Sequence, residues 1–185
     1  KGGAELYSHA HGIDNSPVAP KSDDDMKSIG RSLTLAEDVS DIEKAKIVLM
    51  QLADEVGMTA RKYEKKGRTV QITLKYTDFK VITRQQTISP TYLTKEIYSA
   101  GINLLEDNWN IHRPVRLIGI SISNFDEDSK LDQISIMDFV NESAITGSTN
   151  HKHDKEERLE KAIDTIKERH GTSKITRAIL IDKKE

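Results

Sequence analysis

The chain has 185 residues, no cysteine and a formal net charge of −2 at pH 7. This length holds one domain with appendages, and the absence of cysteine excludes a disulfide framework and thiolate metal sites. No apolar run approaches the roughly 18 residues of a membrane span, so no membrane partner is expected. Residues 1–26 and 124–185 are each net −3, whereas residues 27–123 are net +4. Positive charge is therefore concentrated in the middle of the chain.

The N-terminal residues predict a short helix and a linker. Residues 3–11 are helical in character, and Gly12 follows them as a glycine that can end a helix. Residues 13–26 contain two prolines and three consecutive aspartates, a composition typical of linkers. The first folded unit is therefore expected to begin at about residue 27.

Residues 27–123 predict one α+β unit. Ser40 and Glu43 form a capping-box pattern ahead of a long amphipathic helix, and Ser89-Pro90 is expected to break a strand. The predicted elements are, in order, a strand at 27–35, a helix from Ser40 to Gly67, a hairpin over 67–88, a helix at 94–109 and a strand at 115–123. This β-α-β-β-α-β order predicts a four-stranded antiparallel sheet with two helices on one face.

The clearest strand is the first half of the hairpin, where apolar and polar residues alternate. Val70, Ile72 and Leu74 share one face, and polar residues occupy the positions between them. The second half, over 79–88, alternates less clearly, so its buried face stays open. Because the helices cover one sheet face, we expect the other face to be open and to carry small, hydroxylated and basic residues.

A basic stretch surrounds this hairpin. Residues 61–84 contain eight basic and two acidic side chains, which is the composition of a candidate nucleic-acid surface. The same composition also suits an ordinary solvated sheet face. Both interpretations stay open on composition alone.

The C-terminal part predicts a helix and a strand beyond an acidic, Ser/Thr/Asn-rich segment that is expected to be flexible. The helix spans 154–170 and Gly171 ends it, and a strand-like piece follows at 175–181. The residues on the apolar side of the helix are Leu159, Ile163 and Ile166.

Several segments together resemble the C-terminal part of a Y-family (DinB/UmuC-type) translesion DNA polymerase. They are the Ala-His-Gly-Ile-Asp run at 10–14, KSIGRSLTL at 27–35, KYTDFK at 75–80 and RLIGIS at 116–121. The resemblance, together with the start at Lys1, implies a fragment made of the following parts: the end of the thumb helix at 1–12, a linker at 13–26, the little-finger domain at 27–123, a flexible segment at 124–153 and a helix with a strand at 154–185.

The resemblance implies that the open sheet face lies in the major groove of a primer-template duplex and contacts phosphates. Such contacts do not depend on sequence, which suits a polymerase. The residues implied to bind DNA are Lys27, Ser28, Gly30, Arg31, Ser32, Arg68, Thr69, Lys75, Lys80, Thr83, Arg84 and Arg116. Leu117 and Ser121 depart from the family, which often carries basic residues on this strand.

The segment Gln133-Ile134-Ser135-Ile136-Met137 resembles the pentapeptide that binds the sliding clamp, commonly Gln-Leu-x-Leu-Phe. Gln133 would set the orientation of the peptide, and Ile136 and Met137 would fill an apolar pocket of the clamp. Met137 stands where an aromatic residue is usual. A further strand that docks on the core is the alternative interpretation.

No catalytic or metal site is expected in this chain. The acidic runs at 23–25 and 126–128 lie in loops, where adjacent carboxylates do not converge on metal ions. The histidine pairs His9/His11 and His151/His153 lack a third ligand. The parent protein resembles a cytoplasmic DNA-directed DNA polymerase of DNA repair and the SOS response that uses Mg²⁺, but this piece is expected to be inactive and to hold no cofactor. An interaction module without a nucleic-acid role is the alternative function.

Overall fold

The computed structural model describes residues 2–14, 17, 26–110, 112–125 and 149–181. Its elements are α1 (Gly2–Ala10), β1 (Ser28–Val39), α2 (Ile42–Lys62), β2 (Gly67–Tyr76), β3 (Val81–Thr91), α3 (Thr94–Asn108), β4 (Val115–Phe125), α4 (Thr149–His170) and a 3-10 turn at Ala178–Leu180. From β1 to β4 the order is β-α-β-β-α-β, as the sequence predicts.

The four strands form one antiparallel sheet in the order β1-β4-β2-β3. Helices α2 and α3 cover one face of the sheet, and the apolar residues of β2 and β4 are buried beneath them. Helix α3 approaches β4 closely, since a Cβ added at Gly101 would lie 2.8 Å from Cδ1 of Ile120. The predicted α+β fold is confirmed.

Two local predictions along this unit are wrong. The N-cap of α2 is Asp41 rather than Ser40, because the Asp41 carboxylate accepts a hydrogen bond from the backbone N–H of Glu43 at 2.9 Å. Pro90 does not break β3, which continues to Thr91. Because β3 is an edge strand, it tolerates a residue that has no backbone N–H to donate.

Helix α4 exists as predicted, and it packs on the domain through its charged side rather than through its apolar side. Leu159 and Ile166 are 60% and 40% exposed, whereas Glu160 and Lys167 are buried. The charged side faces the domain because the facing surface of α2 is itself charged. Beyond the helix, the predicted strand at 175–181 is replaced by the 3-10 turn.

A network of ion pairs joins α4 and the residues after it to α2. The Arg61 guanidinium donates two hydrogen bonds to the Asp164 carboxylate, at 2.6 and 3.0 Å. Asp54 accepts hydrogen bonds from Lys167 and, at 2.8 Å, from Arg177. Arg177 also donates to both carboxylate oxygens of Glu160, each at 2.8 Å. The C-terminal helix is therefore held on the β1–β4 unit by charge.

Candidate nucleic-acid interface

The open sheet face consists of alternate residues from all four strands, on the side opposite α2 and α3. Strand pairing brings the following residues onto it: Ser28, Gly30, Ser32 and Thr34 of β1; Leu117, Gly119, Ser121 and Ser123 of β4; Thr69, Gln71, Thr73 and Lys75 of β2; and Val81, Thr83, Gln85 and Thr87 of β3. All except Gly119 are at least partly exposed. The face is therefore available to a partner across its width.

The open sheet face is hydroxyl-rich and carries one charged residue. Nine of its residues are Ser or Thr, none is acidic, and Lys75 is the one cation among them. The prediction of small and hydroxylated residues is thus confirmed, and the basic residues lie largely elsewhere. Hydroxyl groups without competing carboxylates suit a negatively charged, hydrogen-bonding partner such as a phosphate backbone.

The centre of the open sheet face is a shallow depression of about 280 Å³. Gly30, Ser32, Thr73 and Gly119 are among its lining residues. A Cβ at Gly30 would lie 2.8 Å from Cβ of Ser121, so a larger residue there would push the strands apart. The low relief allows a partner to approach the backbone of β1 and β4 closely.

The structure separates the predicted DNA-binding residues into two groups. Those on or beside the open sheet face are Lys27, Ser28, Gly30, Ser32, Thr69, Lys75, Lys80, Thr83 and Arg116. The second group is Arg31 and Arg84. Arg68 belongs to neither group: it is two residues before the core residue Val70 on β2, lies at the β2–β3 register irregularity between Gly67 and Thr69, and is partly buried.

Arg31 and Arg84 lie on the helix side of the sheet. Arg31 is paired with the core residue Ile120, and its guanidinium lies 3.7 Å from the Glu55 carboxylate on α2. Arg84 is paired with Ile72 and donates a hydrogen bond of 2.9 Å to the side-chain oxygen of Asn108 on α3. The structure therefore does not bring these two arginines together with the open sheet face.

The hairpin tip, residues 76–81, carries an aromatic side chain that the sequence reasoning did not select as a site residue. Phe79 is 63% exposed. The Lys75 ammonium lies 4.8 Å from the centre of its ring, and the Arg116 guanidinium carbon lies 5.6 Å from it. The signal was an aromatic residue inside Thr-Asp-Phe-Lys, a turn in which polar residues are the norm.

The hairpin tip is tied to the segment before β4. Arg113 donates hydrogen bonds of 2.9 and 2.8 Å to the two carboxylate oxygens of Asp78 and stacks on the Tyr76 ring at 3.9 Å. Desolvation alone raises the pKa of Asp78, but the hydrogen bonds from the Lys80 N–H and from Arg113 outweigh it and leave the pKa below its usual value. The carboxylate thus stays charged and keeps the turn in place.

Residues 26–136 match the impB/mucB/samB family C-terminal domain. The chain belongs to this family. DNA polymerase IV of Clostridium kluyveri is 54% identical to this chain over 186 residues, and DNA polymerase IV of Alkaliphilus oremlandii is 50% identical over 185. Each match covers 99% of this chain and 45% of the relative, so the chain spans less than half their length. The resemblance to Y-family polymerases is confirmed.

A solved structure described as a complex of the beta-clamp processivity factor and the little finger domain of PolIV is also similar to this impB/mucB/samB chain. The match covers 58% of this chain and 96% of that one, with 19% sequence identity and a TM-score of 0.47. A likeness at this level carries no argument about function.

The other candidate sites that the sequence suggests can be located only where the structure describes the chain. The pentapeptide at 133–137 and the acidic runs at 23–25 and 126–128 lie outside it. Within the described residues, no three or more His, Cys, Asp or Glu side chains are grouped to hold a metal ion. His153 lies 3.5 Å from Glu96 and 3.4 Å from Glu157 on the α3–α4 side. None of the described helices has the length and apolarity needed to cross a bilayer.

Proposed function

We propose that this chain is the DNA-holding part of a Y-family DNA polymerase that acts in damage tolerance. The observation that carries the proposal is the open sheet face, which no described element covers and whose residues include nine hydroxyl groups and no carboxylate, in a chain of net negative charge. The relatives named DNA polymerase IV support it.

In this proposal the sheet grips the backbone of a primer-template duplex without reading its sequence. Hydroxyl groups and strand N–H groups donate hydrogen bonds to phosphate oxygens, and cations beside the face neutralise phosphate charge. Lys27, Lys75, Lys80 and Arg116 are the cations that we assign this role. Arg31 and Arg84 are left out, because they are engaged by α2 and α3.

Nucleotide transfer and Mg²⁺ binding are assigned to the part of the relatives that this chain does not span. The pentapeptide at 133–137 is assigned to a sliding clamp on the strength of its sequence, and this assignment is independent of the sheet.

The test is binding of the chain to a short DNA duplex at two salt concentrations. The variant Lys75→Glu/Arg116→Glu should bind at least about tenfold more weakly, because two phosphate contacts are replaced by repulsion. Each lost contact should also reduce the slope of log affinity against log salt by about 0.9. The matched control, Lys44→Glu/Lys62→Glu, makes the same charge change on exposed positions of α2 and should bind more tightly than the first variant.

Two results would contradict the proposal. Equal losses in both variants would mean that net charge, rather than the sheet face, determines binding. If the chain does not bind DNA even at low salt, the alternative of an interaction module without a nucleic-acid role is favoured. Binding of the sliding clamp, measured in the same samples with Ile136→Ala/Met137→Ala, tests the pentapeptide separately.

A further inference from the structure

The exposure of Phe79 is not explained by packing. Phe79 has φ of +63°, a left-handed conformation that L-residues other than Asn, Asp and Gly adopt at an energetic cost. Its ring is largely in water, so burial does not compensate that cost. A large aromatic residue at the tip of a rigid turn is therefore expected to serve a contact made outside the fold.

The neighbouring aromatic residue shows what a structural stack looks like in the same hairpin. Tyr76 is 3% exposed, and the Arg113 guanidinium lies 3.9 Å from the centre of its ring. The Lys75 ammonium and the Arg116 guanidinium lie farther from the centre of the Phe79 ring, at 4.8 and 5.6 Å, and leave most of that ring exposed. The Tyr76 stack supports the fold, whereas the Phe79 ring is open to a planar ligand.

The two cations beside Phe79 are also available to a ligand. Among the residues that the structure describes, Lys75 and Arg116 have no carboxylate within ion-pair distance, and the Phe79 ring is their shared neighbour. Lys75 lies on the open sheet face and is paired with Leu117 of β4. Arg116 is the residue immediately before Leu117. An open aromatic face beside two unpaired cations matches a planar group that carries an adjacent negative charge.

We propose that the hairpin tip binds one unpaired nucleotide, with its base stacked on Phe79 and its phosphate held by Lys75 and Arg116. Stacking on an aromatic ring accepts any base, and cations beside the ring bind the backbone of a single strand. A base inside a duplex is already stacked on its neighbours, so the ring selects unpaired nucleotides. The inference rests on the proposed DNA-binding function and extends it, because Lys75 and Arg116 would serve both the duplex backbone and the unpaired nucleotide, while Phe79 would serve only the latter.

The experiment compares the chain and its variants on a blunt duplex and on the same duplex with a single-stranded overhang of six nucleotides. The wild-type chain should bind the overhang substrate more tightly. In Phe79→Ala this difference should fall by about fivefold or more, which corresponds to the loss of one stacked base. Affinity for the blunt duplex should stay unchanged. Phe79→Trp should keep the difference because it keeps an aromatic face.

Two further measurements separate stacking from general damage. Ile47→Ala removes an exposed apolar side chain on α2, away from the open sheet face and the hairpin tip, and should leave both affinities unchanged. A 2-aminopurine base in the overhang should lose fluorescence on binding to the wild-type chain, as a stacked base does, and should not lose it with Phe79→Ala. Unchanged thermal unfolding would show that Phe79→Ala is folded.

The outcomes distinguish this inference from the proposed function. If Phe79→Ala changes neither affinity, or weakens both equally, the inference is overturned and the duplex-binding proposal stands. If the wild-type chain binds neither substrate, the proposed function fails and the inference fails with it. Loss of the overhang preference together with the fluorescence change supports the inference.

Discussion

Helices α2 and α3 meet the sheet through apolar side chains, whereas α4 meets α2 through ion pairs. Leu49 and Ile97 are fully buried against strands whose inward residues are Ile, Leu and Val. On α4 the buried residues are Glu160 and Lys167, and the ion pairs at Asp54 and Arg61 hold the helix. The same chain thus uses two different kinds of interface to hold its helices.

The difference predicts two kinds of stability. Burial of apolar area does not depend on protonation, so the sheet with α2 and α3 should hold together over a wide pH range. Charges taken out of water pay a desolvation cost that only their partners offset. Attachment of α4 should therefore depend on whether every partner is charged, and it can be lost while the core remains folded.

The largest effect is expected in the apolar interface. Leu49→Ala removes a side chain that is fully buried between α2 and the sheet, and it should lower the free energy of unfolding by about 2–5 kcal/mol. Chemical denaturation monitored by circular dichroism measures this change. The control is Ile47→Ala on the exposed side of the same helix, which should cost much less. Equal costs for the two variants would mean that α2 does not pack as described.

The second-largest effect is expected at low pH, where α4 should detach from α2. Burial by itself raises the pKa of Asp54, but the hydrogen bonds from Lys167 and Arg177 outweigh it, so the pKa lies below its ordinary value of 3.8. A group with a lowered pKa stabilises the folded state fully above the unfolded value and loses that contribution as the pH falls through the folded value. Attachment of α4 should therefore weaken below about pH 4. Asp54→Asn should weaken it at neutral pH by about 1.5–3 kcal/mol.

Because the chain has no cysteine, two cysteines placed at the exposed positions Lys44 and Glu168 can carry spin labels that report the distance from α2 to α4. The distance distribution should broaden on acidification, and at pH 7 in Asp54→Asn, while Trp109 fluorescence reports that the core is intact. Glu43→Gln is the control at an exposed carboxylate. A distribution that stays narrow in Asp54→Asn would show that these ion pairs do not hold the helix.

The smallest effect is expected on the apolar stripe of α4. Leu159→Ser should change the free energy of unfolding by no more than about 0.5 kcal/mol, because the side chain is already mostly in water. Glu160→Gln, one residue further on, should loosen the helix in the same spin-label measurement. If Leu159→Ser were the more damaging of the two, α4 would pack on its apolar side instead.

The local sequence pattern is sufficient to predict the buried side of an element that buries a single apolar face. The alternation at Val70, Ile72 and Leu74 correctly predicts the buried face of β2, because the side-chain period of a strand is the same in any fold. Arg31 shows how the same rule could have improved the site prediction. It shares a strand face with Leu33 and Leu35, the apolar residues of the same strand, so its position in the sequence already puts it on the helix side.

The packing of α4 could not be predicted in this way. The periodicity of Leu159, Ile163 and Ile166 describes the helix alone, whereas the side that is buried depends on charges more than 90 residues away along the chain. Asp54 and Arg61 occur on α2 among other charged residues, and nothing in their spacing distinguishes the ones that are later covered. The sequence leaves the packing of α4 open because an ionic interface is specified by both partners together.

Pro90 has a consequence for how this protein behaves in concentrated solution. A sheet with one bare face also has two edge strands, and unpaired backbone groups at an edge can recruit strands from other copies and start aggregation. On β3, Pro90 offers no N–H for such pairing, and on β1 the register is interrupted between Thr34 and Val39. Both edges are thus unsuited to regular extension, so the chain can leave its broad polar face uncovered without growing into larger sheets.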